Sequence, residues 1–225
     1  METLHNINIS VHIITGSIAL LLGFISLLSR KRGIIHNYAG RYFLILISVV
    51  IFTGLIGVLV FGRNSFLLVI TILSGYVSFS GYRILKLKAN IPKTVDVLAA
   101  IISLLILVYF LYYFKSIGMI WSPIIIYSTV GALLIVISYD FLRYFIPRKK
   151  YTKNRIWIYE HIYKMTSAFS ALLSAFTGTI FESYQPHSQY IPSALGLLII
   201  LGFILYVYKF GIKPPVKSQK LIEPK

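Results

Sequence analysis

The sequence contains no cysteine, and that absence removes disulfides, thiolate metal sites and thiol catalysis together. Charge is almost as scarce: 12% of the 225 residues are charged and only six are acidic. A soluble chain of this size needs a polar surface, and the residues to build one are missing. There is no His-Glu-x-x-His helix, no phosphate-binding glycine loop and no nucleophile elbow, so hydrolysis or phosphoryl transfer of the soluble type has no support. Lys and Arg are absent from the first 29 residues, so the start of the chain lacks the basic region of a secretory signal peptide.

What fills the chain is apolar, with 57% hydrophobic residues and a mean hydropathy of +0.81. Seven apolar runs, roughly 8–29, 42–62, 66–85, 95–114, 124–146, 157–181 and 192–210, each come close to the ~20 residues a bilayer crossing needs. They predict an all-α polytopic membrane bundle: one seven-helix domain over residues 1–210, then a basic cytoplasmic tail over 211–225. A membrane barrel is disfavoured, because its strands would alternate apolar and polar residues.

The net charge of +16 invites a nucleic-acid reading, but the basic residues stand in short clusters between apolar runs. Nineteen of the 22 Lys and Arg fall in or beside the first, third and fifth connections and the tail; only Arg63 and Lys115 fall on the other side. Basic loops stay in the cytoplasm, so the N-terminus is expected outside and the C-terminus inside, with no nucleic-acid partner. The expected partner is a bilayer with anionic headgroups. The second connection, Arg63-Asn64-Ser65, reads as a tight turn, and Trp121 as an interfacial anchor. The tyrosines near span ends, such as Tyr109, Tyr112 and Tyr206, form an aromatic belt.

Lipid gives helices no hydrophobic reason to associate, so small residues mark their contacts. His12, Gly16, Ala19, Gly23 and Ser26 share one face of the first span. Ser74, Ser78 and Gly81 form a row in the third, and Ser167, Ser170, Ala171, Ser174 and Gly178 in the sixth. These rows predict an inner bundle of spans one, three and six.

Ionisable groups at membrane depth call for a functional hypothesis. Two histidine clusters follow. The outer one joins His12 to His187 or His5, as a candidate metal site. The inner one joins His36, read in the first connection near the start of span two, to His161 in span six, with Met165 one turn further as a soft partner. Neutral imidazole ligates haem iron, copper and zinc, so His12, His36, His161 and Met165 are the candidate cofactor ligands, with haem b the candidate cofactor. The competing reading gives these histidines hydrogen bonds to backbone or headgroups. A second group, Arg83, Asp140, Arg143, Glu160 and Lys164, sits at cytoplasmic depth. Asp140 and Arg143 are three apart, and Glu160 and Lys164 four apart, so each pair can meet on its own helix. They read either as a relay or, by preference, as charge neutralisation that locks helices together.

An ordered series carries a resemblance: His12-Ile-Ile-Thr-Gly16-Ser-Ile-Ala-Leu-Leu-Leu-Gly23, Arg32-Gly33-Ile-Ile-His36-Asn-Tyr-Ala-Gly40-Arg41, Gly81-Tyr82-Arg83 and Glu160-His161-Ile-Tyr-Lys-Met165. It resembles an uncharacterised family of predicted bacterial multi-spanning membrane proteins. The resemblance implies the cytoplasmic (inner) membrane of a bacterium, no established activity, and His12, His36, Arg83, His161 and Met165 as signature positions. A fainter likeness is to cytochrome b561-type proteins, which also place histidines on both sides of a helix bundle. This chain departs from them in its histidine spacing and in reading His36 as a loop residue. Two function classes follow. One is a haem- or metal-binding redox protein working with a quinone or a membrane protein partner. The other is a non-enzymatic membrane subunit, assembly factor or small-solute permease.

Overall fold

A computed structural model describes residues 2–62, 66–117 and 123–211. The turn at Arg63–Ser65, Trp121 and the tail beyond Gly211 lie outside the described residues. Those described form helices and connections, with no strand among them. The helices are α1 (Glu2–Leu28), α2 (Ile34–Leu59), α3 (Phe66–Leu87), α4 (Thr94–Ile117), α5 (Pro123–Leu142), the short α6 (Arg148–Lys153), α7 (Ile156–Ile180) and α8 (His187–Phe210). Single 3-10 turns follow α5 and α7.

Among the described residues, five stretches are long and apolar enough to cross a membrane: α1, α2, α4, Ile126–Phe145 and α8. Their outward faces carry Leu28, Phe52, Leu105, Ile135 and Leu198 in the open, a surface that water would not tolerate. The two remaining long helices, α3 and α7, hold the serines, threonines and charges that point inward. At ~1.5 Å per residue, the 22 residues of α3 and the 25 of α7 reach about 33 and 37 Å, enough to match their neighbours.

The hub is α7, which packs on α3, α8 and α1. Contact is close where small residues meet. A methyl group at Gly23 of α1 would stand 2.6 Å from the Phe169 ring of α7, and one at Gly196 of α8 would collide with the Ser170 side chain. The expected inner bundle of spans one, three and six is therefore correct for α3 and α7 but not for α1. That helix pairs mainly with α2 and buries only Ala19 and Gly23, because its remaining face is a continuous run of Ile, Leu and Val turned outward.

Helix ends moved two assignments. α2 begins at Ile34, after Gly33 in an extended conformation, so His36 lies in the first helical turn and not in the connection. α8 begins at His187, with Pro192 inside it. A proline there leaves the carbonyl of Ser188 without its helical donor. The Thr177 hydroxyl of α7 stands 2.6 Å from that carbonyl and donates to it, which lets the helix run through the proline.

Candidate functional site

The ionic residues predicted at cytoplasmic depth do converge, and they do so between helices. Lys164 of α7, wholly buried, donates to Asp140 Oδ1 of α5 at 2.5 Å. Arg143 donates through Nη1 to Glu160 Oε2 at 2.8 Å and has its Nε 3.5 Å from Asp140 Oδ1. No ion pair joins Glu160 to Lys164, because each faces α5. Three tyrosines complete the shell. Tyr76 of α3 donates to Asp140 Oδ2 at 2.8 Å, Tyr139 donates to Glu160 Oε1 at 2.9 Å, and the buried Tyr151 of α6 stands beside Glu160. Burial, then the Glu160 carboxylate, pushes the Tyr151 phenol well above its ordinary range.

Two acids and two bases make the cluster neutral, and it joins α3, α5, α6 and α7. Asn90, in the connection before α4, extends the lock by donating to the carbonyls of Arg143 at 3.0 Å, which also accepts the Ile146 N–H, and of Ile146 at 2.5 Å. Arg83 of α3 holds Asp96 in the first turn of α4 through two bonds, at 2.6 and 3.1 Å. A small cleft separates this pair from Asp140 and Arg143. Sequence reasoning missed Tyr76, Tyr139, Tyr151 and Asn90. Sequence spacing carried no signal for them, since each of the four meets its partner on another element.

The histidines take a different part. His12 has Nδ1 2.9 Å from Thr53 Oγ1 of α2. Since the Thr53 hydroxyl sits 2.9 Å from the Val49 carbonyl and 3.0 Å from that of Val50, it spends its hydrogen on its own helix and accepts from His12. His36 directs Nδ1 to the Ser26 carbonyl of α1 at 2.9 Å. His161 directs Nδ1 to the Gly81 carbonyl of α3 at a longer 3.4 Å. All three thus give the same nitrogen to an acceptor on another helix, which leaves Nε2 carrying the lone pair. That arrangement orients a histidine ligand in metal sites, with the outer nitrogen anchored and the inner one free to bind.

His161, His36 and Lys31 lie close enough to interact electrostatically. Met165 is one turn along α7, with its sulfur against Gly81. Lys31 curls back onto the Ser26 and Leu27 carbonyls and lies 4.5 Å from the Phe203 ring of α8; burial lowers the pKa of its ammonium. The outer pair is not brought together. His187 is exposed at the start of α8 beside Tyr190, while His12 faces α2, and the two share no hydrogen bond or ring contact. His5 packs on the Phe61 ring. Among the described residues no three His, Asp or Glu gather as a metal site. Comparison of the chain with protein-family models, with curated proteins and with solved structures returns no match.

Proposed function

We propose that the chain is a seven-span protein of the bacterial cytoplasmic membrane, N-terminus outside and C-terminus inside, that binds a redox cofactor at its cytoplasmic side through His36 and His161. Packing supports the seven-span count: α3 and α7 lie among five apolar helices and match their lengths. The orientation follows from the basic connections. The observation that carries the ligand assignment is the shared Nδ1 anchoring, which presents Nε2 of both rings as donors to a metal.

Lys31 distinguishes between cofactors. A cation beside two imidazoles opposes a bare metal ion and suits a group that brings its own carboxylates, so haem b is favoured over free zinc or copper. His36 and His161 would hold it, with Met165 as a soft neighbour; bound there, it would supply one-electron chemistry. The test is the absorption spectrum of detergent-purified protein from haem-supplied cells, oxidised and then reduced with dithionite. A Soret band that sharpens on reduction, and that His161→Ala abolishes while His5→Ala keeps, is the expected result. A featureless spectrum with no metal by elemental analysis overturns it. One observation favours the second reading, a non-enzymatic subunit, assembly factor or permease: each anchored histidine already ties two helices together, which is a sufficient structural role.

A further inference from the structure

A cavity of about 200 Å³ lies between α5 and α8, with α3 and α7 as its floor. The helices on either side of it are held by α7 and α3 and are not packed together, so the space opens sideways toward lipid. Its rim carries exposed apolar side chains such as Leu197 at 56%. No charged side chain lines it among the described residues. Six hydroxyl side chains do; Ser128 is engaged elsewhere and Ser193 bonds to Ser174 at 2.8 Å, which leaves four: Thr129, Ser167, Ser170 and the phenol of Tyr163. None of the four has a hydrogen-bond partner within the described protein.

Hydroxyls left without partners at membrane depth are costly, so their convergence on one cavity says what an occupant must supply. An acyl chain fits the apolar wall but offers no acceptor. An ionic headgroup finds no counter-charge. A neutral ring bearing carbonyl acceptors satisfies both conditions, and a hydrocarbon tail attached to it leaves through the gap between α5 and α8. We propose that this cavity binds the headgroup of an isoprenoid quinone, held by the hydroxyls of Thr129, Ser167, Ser170 and Tyr163. Tyr163 also adjoins Asp140, so the ring would lie next to the buried ionic cluster. The site names the electron partner of the redox reading. It rests on that reading for its role, though not for the binding itself.

The experiment uses the full chain in lipid nanodiscs and a radiolabelled short-tailed benzoquinone, measured by equilibrium dialysis. Saturable binding is expected, weakened at least 10-fold by Ala132→Phe, which fills the cavity from the α5 wall, and about 3- to 10-fold by Tyr163→Phe, which removes one neutral hydrogen bond. If Ala132→Phe does not fold, Thr129→Val takes its place, with an effect like that of Tyr163→Phe. Absence of saturable binding in the parent protein overturns the proposal. So does binding that Ala132→Phe, or Thr129→Val with Tyr163→Phe, leaves unchanged, and so does displacement of the probe by phospholipid alone. Failure of the redox reading is separable: a protein without a haem spectrum that still binds the quinone retains this site, and His161→Ala keeps its quinone affinity.

Discussion

Removing the Asp140 carboxylate tests whether the buried cluster holds the bundle together. In Asp140→Ala the Tyr76 hydroxyl loses its acceptor, and Lys164 loses the ion-pair partner it holds at 2.5 Å while its side chain stays 0% exposed. Stranding one member of a buried pair costs about 3–5 kcal/mol. Set against a total stability of roughly 5–15 kcal/mol, that is a large part of what keeps a domain folded. Arg143 retains Glu160 at 2.8 Å, so the damage centres on Lys164. Asp140→Leu with Lys164→Met removes both charges, leaves the Arg143–Glu160 pair neutral, and is expected to lose less than Asp140→Ala alone. The assay is unfolding in mixed micelles of rising SDS fraction, followed by circular dichroism, with thermal melts as a second readout. At ~2–4 °C per kcal/mol for chains of this length, Asp140→Ala should melt about 6–20 °C lower. A loss under ~1 kcal/mol, or a double variant as unstable as the single one, would refute a locking role for these charges.

Three further outcomes are expected. Gly23→Ala should destabilise by roughly 1–3 kcal/mol in the same assay, since its methyl meets Phe169, whereas Gly131→Ala, with nothing within 4 Å, should be neutral or slightly stabilising. Asn90→Ala should cost about 1–3 kcal/mol by leaving the Ile146 carbonyl without its donor and the Arg143 carbonyl with only the Ile146 N–H, and Asn90→Asp, which keeps the shape but lacks the amide hydrogens, should not rescue it. A reporter fused after Phe210 should be active only in its cytoplasmic form, and one placed at Ser183 only in its external form; the reverse pattern would overturn the orientation.

The neutral cluster and the anchored histidines divide the work of the bundle. The cluster ties α3, α5, α6 and α7 at one end, where opposite charges pay for each other's burial. The histidines tie α1 to α2 and α3 to α7 through single hydrogen bonds that leave a ring nitrogen spare. A group already paired on every side has little capacity for a ligand, while a ring with one free nitrogen has some. That contrast is why the ligand assignment falls on His36 and His161 and not on Asp140 or Glu160.

Hydropathy alone made the membrane character, the all-helical class and most helix positions legible, because a bilayer crossing imposes a length and an apolar composition that can be counted along the chain. Small-residue rows marked α3 and α7 as inner helices for a similarly local reason: residues three and four apart share a face. The partners across those faces were not legible. Spacing paired Asp140 with Arg143, which the fold keeps at 3.5 Å, and Glu160 with Lys164, which it does not; the closer pairs are Asp140 with Lys164 and Arg143 with Glu160, since α7 brings its charges to α5 from residues 17 to 24 positions away. The peripheral place of α1, the helical setting of His36 and the hydroxyl-lined gap between α5 and α8 were decided in the same way. Each depends on how helices sit beside one another, and a periodicity read along one helix carries no information about which neighbour it meets.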